Sequence, residues 1–404
     1  MSIKLKGSTD GSVTLQAPAD TSPTGTDKTF TLPTQDGDSG QILKTNGSGA
    51  LSFTDNLASN RNLIINGAML VAQRGTSTTG VASSGYYSVD RMSMGISSLG
   101  TYTVTQESDG PAGFSKSYKI DCTTADSSPA AGDFIKVDVN IEAQNLQHLD
   151  YGASTAKALT FTFYVKSNKT GNASFEVQQK DNSDRQITPQ YTINAANTWE
   201  KKTISIPADT AGLINDDNGT GLRLSWWLNS GSNYSGGSHR TTWTAEVNAD
   251  RNVSNLGIGG STSDYWQITG LQLEIGDVAT PFEHRSYGDE LARCQRYCFK
   301  YAPSNQEWIY NESNGANQKW WHFYYPAMRD TPSFDAGTLS TGTGTSVNGL
   351  SGTINSLAAG GSFGSGASGR QSIRVTMSAT GGTEYNIHHT DSWAGDHCFC
   401  FSEL

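Results

Sequence analysis

The chain has 404 residues, 35% apolar and 16% charged, with a formal net charge of −10. At about 150 residues per domain, this length accommodates two or three domains with sizeable cores. The acidic balance excludes the basic footprint of a nucleic-acid binder, and the chain has neither an apolar run near the ~18 residues of a membrane helix nor the heptads of a long coiled coil.

Residues 1–58 are rich in Thr, Ser, Gly and Asp, with short apolar alternations such as Val13-Thr14-Leu15 and Phe30-Thr31-Leu32. Turn signals at Asp10-Gly11, Pro23-Thr24-Gly25, Asp36-Gly37 and Asn46-Gly47 separate them. Strands this short and sparse cannot bury a core of their own, so the segment is expected to borrow one from neighbouring chains or a docking surface. Its first residues contain no apolar h-region, so no secretory signal is expected.

Residues 59–286 read as a β-sandwich. Period-2 patterns put Ile135, Val137, Val139 and Ile141 on one face and Lys136, Asp138 and Asn140 on the other. Leu159, Phe161, Phe163 and Val165 repeat the pattern, as do Leu222, Leu224, Trp226 and Leu228. Tyr118, Ile120 and Cys122 alternate too, which makes Cys122 a core thiol. Between Trp266 and Ile275 the apolar phase slips by one residue, as a β-bulge beside Gly270 would make it do.

Residues 287–299 form the one convincing helix. Asp289 and Glu290 suit its start, and Leu291, Cys294 and Cys298 form an apolar stripe. Residues 300–404 return to strands, with Trp321–Pro326 near the start, a Gly/Ser/Thr-rich stretch from Gly337 to Gly369, and alternating Ser372–Met377 and Cys398–Phe401 near the end.

Signals for chemistry are sparse. Cys294-x3-Cys298, His388-His389, His397 and Cys398-x-Cys400 offer metal-ligating types, but one cysteine pair falls on a helix and the other on a strand, not on zinc knuckles. Five cysteines, an odd number, suit small apolar residues in a reducing cytoplasm better than a disulfide scaffold. Ile214–Gly219 and Lys180–Asp184 cluster hard oxygens without EF-hand spacing; Asx turns account for both. No cofactor is expected, with structural calcium at these loops as the alternative. Neither a nucleophile elbow nor a phosphate loop occurs, and Glu142, Asp184, Glu246 and Glu274 have no spacing that marks them as glycosidase acids. The chain is expected not to be an enzyme.

Aromatic residues, 10% of the chain, are the better lead. If Trp226 faces inward, Trp227 faces out with Arg223 and Asn229. By the same parity Trp320, His322 and Tyr324 lie opposite Trp321, Phe323 and Tyr325. An exposed indole beside hydrogen-bonding side chains suits the apolar C–H face and polar rim of a sugar ring, though it suits a subunit interface equally. These six residues are the candidate carbohydrate contacts.

From Asn62-Leu63-Ile64-Ile65-Asn66-Gly67-Ala68-Met69 through Gln73-Arg74-Gly75-Thr76 the sequence resembles a family of phage virion appendage proteins, usually described as tail fibres. Further phrases agree in order: Gly85–Arg91, Ile141–Leu146, Phe163–Ser167, Trp266–Gly276 and Ala279–Tyr297. The resemblance covers residues 62–298. It implies a mainly β protein with a jelly-roll sandwich similar to carbohydrate-binding modules, in a homotrimer on the virion surface, made in the host bacterial cytoplasm. Residues 1–58 look like the segment that attaches such a fibre to other virion proteins of the tail or capsid, and host-surface polysaccharide is the implied partner of the distal part. The family has no agreed catalytic residues to carry over. A capsid decoration or cement spike without a receptor role is the alternative, and a capsule-degrading tailspike the second. Neither nucleic acid nor membrane insertion is implied.

Overall fold

The structure, a computed structural model, describes residues 2–6, 12–16, 29–34, 36–37, 41–55, 60–181, 184–301, 310–313, 318–324, 326–330, 333–335, 352–359, 372–379 and 398–404. It divides into two units, Met1–Asn60 and Arg61–Leu404.

In the first unit, β1 (Ser2–Lys6) pairs antiparallel with β2 (Ser12–Gln16), and β3 (Gln41–Thr45) with β4 (Leu51–Asp55). The second hairpin turns on Asn46, whose Oδ1 accepts from the amides of Ser48 (2.8 Å) and Ala50 (3.1 Å). Several of its apolar side chains are exposed. Ile42 and Leu43 are successive residues on opposite faces, yet are 46% and 51% exposed. Phe30 and Leu32, which flank the bridge from Thr31 to Ala50, are 63% and 70% exposed.

The second unit opens with β5 (Ser77–Val81), β6 (Gly85–Tyr86), β7 (Ser93–Ser97), β8 (Thr101–Glu107), β9 (Ser117–Thr124), β10 (Phe134–Glu142) and β11 (Leu159–Ser167). It continues with β12 (Gly171–Gln179), β13 (Arg185–Ile187), β14 (Gln190–Ile193), β15 (Glu200–Ile206), β16 (Thr220–Ser230), β17 (Thr244–Ala245) and β18 (Tyr265–Ile275). An eight-stranded sheet runs β17-β13-β12-β16-β10-β7-β6, with β14 also on β12, and a six-stranded sheet runs β15-β11-β18-β9-β8-β5. The chain is therefore mainly β, and its centre is the sandwich that alternation requires.

Register explains the core. Phe175, Trp226, Val137 and Met94 form one row across the eight-stranded sheet, and Val177, Leu224 and Val139 the next. Against them the other sheet sets Phe161, Phe163 and Trp266, with ring centroids 5.1 Å from Phe161 to Phe175, 5.7 Å from Phe163 to Trp226 and 6.1 Å from Trp226 to Trp266. Cys122 is buried, as its alternation requires.

The phase slip in β18 is a bulge. Thr162 pairs with Gln272 and Tyr164 with Thr269, so β18 spends one residue more than its partner. Gly270 takes φ +65°, and a Cβ there would lie 2.8 Å from Phe114 and 2.9 Å from Tyr164. Gly270→Ala is expected to cost about 1–3 kcal/mol, from left-handed backbone and crowded rings together. Urea melts of the two proteins check it.

The helix spans Tyr287–Gln295, with Ser286 as its cap; the Ser286 Oγ accepts from the Asp289 amide (3.2 Å). The expected helix end at 299 is corrected: the chain leaves the helix at Arg296, and Cys298 opens a strand, β19 (Cys298–Tyr301). The buried stripe accordingly differs from the expected one. Leu291 is half-buried, while Cys294 and, against expectation, Glu290 turn inward. The remaining strands are β20 (Tyr310–Ser313), β21 (Gln318–Tyr324), β22 (Ser333–Asp335), β23 (Gly352–Ala359), β24 (Ser372–Ala379) and β25 (Cys398–Phe401). They form a three-stranded sheet, β19-β25-β22, and a four-stranded one, β20-β21-β24-β23.

A polar seam joins the sandwich to the helix and the last strand, and the recognisable phrases build it. Asn62 Nδ2 donates to the Leu271 carbonyl (2.8 Å), while its Oδ1 accepts from the Leu273 amide (3.1 Å). Asn66 spans the Asn66–Val71 turn, its Nδ2 donating to the carbonyls of Val71 and Asp90 (both 2.9 Å). Glu290 accepts from the Asn66 amide (2.5 Å) and from Arg285 (3.0 Å), which also reaches the Ile64 carbonyl (3.0 Å). Glu403 sits between Arg74 (2.7 Å) and Arg91 (2.6 Å). Arg91 lies 3.5 Å above the Tyr297 ring and donates to the Asn140 carbonyl (2.8 Å).

Within the seam Asp90 is fully buried. Burial lifts its carboxyl to about 6, against the opposing pull of the Gln73 bonds and Arg74. A carboxyl raised above its unfolded value weakens the fold above its folded pKa and returns that stability as pH falls through it. The wild type is therefore expected to gain about 1 kcal/mol over Asp90→Asn between about pH 7 and pH 5. Parallel urea midpoints across that window would refute the assignment. Carboxyls held low, such as Glu142 and Asp138, begin to cost stability only at lower pH.

Candidate functional site

The outer face of the eight-stranded sheet holds the first three predicted contacts. Ser174, Trp227, Lys136 and Gly95 form one row; Glu176, Ser225, Asp138 and Ser93 the next; Gln178, Arg223 and Asn140 the third. Parity thus placed Trp227 on the correct side of the strand.

The expected exposure is corrected. Trp227 is only 1% exposed, because residues 231–252 fold back over this face. Tyr234 packs on the indole (5.1 Å), Phe134 flanks it (5.8 Å), and Arg251 lies over it (5.1 Å). The indole N–H donates to Glu176 Oε2 (2.8 Å), which Arg251 Nε also contacts (3.2 Å). Burial raises the Glu176 carboxyl despite Arg251, Lys136 and the indole N–H. Asp138 behaves oppositely: burial would raise it, but Lys136 (2.8 Å) and Arg223 outweigh that and hold it low. Arg223, half-buried, donates to Asn140 Oδ1 (2.8 Å), and Asn229 is buried and accepts from Asn255 (3.1 Å). This face is a closed internal network, and its groups bond to one another.

Trp320, His322 and Tyr324 lie on β21, between β20 and β24, where Trp320 pairs with Glu312 and Thr376. Their side chains fall outside the described residues, as do His388, His389 and His397. Cys294 and Cys298 are buried. Among the described residues no cluster of three or more His, Cys, Asp or Glu is placed to hold a metal. In the 214–219 loop, Asp217 Oδ1 accepts from the Gly219 amide (2.8 Å), an Asx turn, while Asn182 and Ser183 lie outside the described residues.

The acidic residues considered for hydrolysis all have internal partners. Glu142 accepts from Arg296 (2.9 Å) and the Tyr297 hydroxyl (2.8 Å), Glu246 from Arg251 (3.2 Å), and Glu274 from the Thr280 amide (2.8 Å). Asp184 pairs with Lys180 (2.7 Å).

The outer face of the six-stranded sheet is the open one, and attention to tryptophan parity alone passes it over. Tyr164 and Lys166 on β11, Tyr265 on β18, and Lys119 and Asp121 on β9 are half-buried there, with Gln267 as the buried floor. Register sets Gln267 between Lys166 and Lys119, and Tyr265 opposite Asp121. Two loops add Asp109 and Trp199. Asp109 accepts from Lys166 Nζ (2.8 Å) and from the Trp199 indole N–H (3.3 Å), and those bonds hold its carboxyl below the usual range. Lys119 pairs with Asp121 (2.9 Å) and lies over the Tyr265 ring (5.2 Å), whose hydroxyl donates to Asn197 (2.6 Å). Beside this group Phe114, Tyr164, Phe282 and His284 form a second aromatic cluster, with centroids 4.8 Å apart from Phe114 to Phe282. The signal was in the sequence: every strand residue here holds the parity opposite a core residue already identified.

No family profile matches the chain. No curated protein is significantly similar to it in sequence. Among solved structures, part of the chain is similar to the enzymatically active domain of bacteriophage CBA120 tailspike protein 4, at 12% identity and a TM-score of 0.29, covering 54% of this chain and 22% of that one. The chain thus spans less than a quarter of that domain's length. It is also similar to the CBM22-2 xylan-binding domain of Paenibacillus barcinonensis Xyn10C, at 13% identity and a TM-score of 0.25, covering 45% of this chain and 91% of that one. A family 11 carbohydrate-binding module from Clostridium thermocellum matches at 10% identity and a TM-score of 0.23, covering 51% of this chain and 98% of the module.

Proposed function

We propose that this chain is a non-enzymatic structural component of a bacteriophage virion, a homotrimeric fibre displayed on the particle that contacts host-surface glycans. The observation that carries the assembly role is the first unit. A two-stranded hairpin is marginal alone, and β3–β4 leaves Ile42 and Leu43 open on opposite faces. Apolar residues uncovered on both sides suit an element buried between chains, and a symmetric trimer covers them while shielding its strand edges. The phrases that resemble phage appendage proteins support the virion setting, and several weak glycan contacts on one trimer act together.

The test is deletion of residues 1–58. Loss of the trimer in sedimentation and of the protein from purified virions is expected, with the sandwich still folded by circular dichroism. An unchanged oligomer that still joins the particle would overturn the reading. Gold-antibody labelling of virions then separates a tail fibre, with gold at the tail, from a capsid spike, with gold over the head.

A further inference from the structure

We infer that the outer face of the six-stranded sheet, centred on Trp199 and Tyr265, is a binding platform for an uncharged polysaccharide. This rests on the glycan-contact reading above and gives it a place and a ligand class.

The argument starts from the charges. Two ion pairs sit at the centre of this face, Lys166 with Asp109 at 2.8 Å and Lys119 with Asp121 at 2.9 Å, while Lys201, opposite Tyr164, and Glu107, opposite Ser117, lie at its edges. Both central cations already have a counter-ion, so a uronate, phosphate or sialate seated over the rings would have to displace an aspartate to gain either of them. Hydroxyl groups face no such competition. Both carboxylates accept, and both ammonium groups donate, in directions their mutual pairing leaves open.

Apolar contact comes from the rings. Trp199 and Tyr265 are half-buried, held by one polar tip each: the indole N–H to Asp109 and the phenol to Asn197. Fixing a ring by its tip leaves its body to pack against the C–H face of a sugar with little further loss of entropy. The two sites differ here, since Trp227 on the opposite sheet is also fixed by its N–H but is covered on both sides. Pairing across β11, β18 and β9 sets the Tyr265 side of the platform on sheet, a rigid support, and Trp199 joins it from the loop before β15.

The experiment measures retention of the full-length protein in affinity electrophoresis on gels carrying mannan or dextran, as neutral probes, and alginate or polygalacturonate, as uronate probes. Retention is expected on a neutral gel and to be indifferent to salt, because no ion pair is gained on binding. Trp199→Ala and Tyr265→Ala should each weaken it about tenfold, whereas Tyr265→Phe, which keeps the ring, should weaken it little. Circular dichroism and sedimentation of each variant establish that fold and oligomer persist; where an alanine variant fails to fold, Trp199→Leu or Tyr265→Leu, which keeps apolar volume but loses the flat ring, takes its place and should weaken retention likewise. Four outcomes overturn the inference. Retention that survives both ring variants puts the site elsewhere while the glycan reading stands. Salt-sensitive retention on the uronate gels alone refutes the ligand class. A ring variant that dissociates the oligomer makes this face a subunit interface. Absence of retention on every gel and on polysaccharide from the host overturns the glycan reading itself, and this inference with it.

Discussion

Glu403→Ala is expected to destabilise the second unit by about 3–5 kcal/mol, the usual cost of leaving buried charge without its partner. Arg91 and Arg74 both point at this carboxylate, at 2.6 and 2.7 Å, and their side chains are nearly buried. With Glu403 gone, Arg74 retains Asp90 at 3.5 Å, but among the described residues Arg91 is left with the Asn140 carbonyl and the Tyr297 ring. Burial alone would lower the Arg91 pKa, and the charges around it, Glu403 first among them, together reverse this. Glu403→Gln, isosteric but neutral, should lie between. The double variant Arg91→Met/Glu403→Gln should be more stable than the sum of the two single losses implies, since neither change then strands a charge. Chemical denaturation supplies the energies, and hydrogen exchange at Cys398–Phe401 reports whether the last strand stays docked. A loss below about 1 kcal/mol for Glu403→Ala would place the pair among solvent-screened surface bridges.

Trp227→Ala should cost a similar amount, about 3–5 kcal/mol, and leave polysaccharide retention by the folded protein unchanged. Truncation removes the ring that Phe134, Tyr234, Lys136 and Arg251 pack around, and it strips Glu176 of the indole N–H. Trp227→Phe restores part of the volume but not the donor, and should cost about 1–3 kcal/mol. Thermal melts order the three proteins. Weaker retention at full stability would return Trp227 to the surface.

The same residue shows how far the sequence reaches. Alternation located β9, β10, β11 and β16 and the side of β16 to which Trp227 belongs, because a period of two is a local property of extended backbone, while β7, β8 and β12, equally part of the core, went unread. Whether that side meets water depends on residues 231–252, an excursion whose path over the sheet has no periodic signature. Gly270 was legible for the opposite reason: a slipped phase beside a glycine has few other causes. Glu290 was read as a favourable charge at a helix start, which it is, but its burial follows from Asn66 and Arg285, more than two hundred positions away in one case. Asp109 and Trp199 sit on loops, where no pattern announces that they meet. The strand residues beside them follow from parity, each opposite a core residue.

The position of β18 sets a timetable for the growing chain. It is an inner strand, between β11 and β9, and Asn62 closes the seam by bonding to its Leu271 and Leu273. Until the ribosome has released residues 265–275, β9 and β11 each present a naked edge, and Asn62 waits without its partners. Most of this unit must therefore be synthesised before its sandwich can close, and a sheet completed by its last strand folds slowly, with a long window for mispairing between nascent chains.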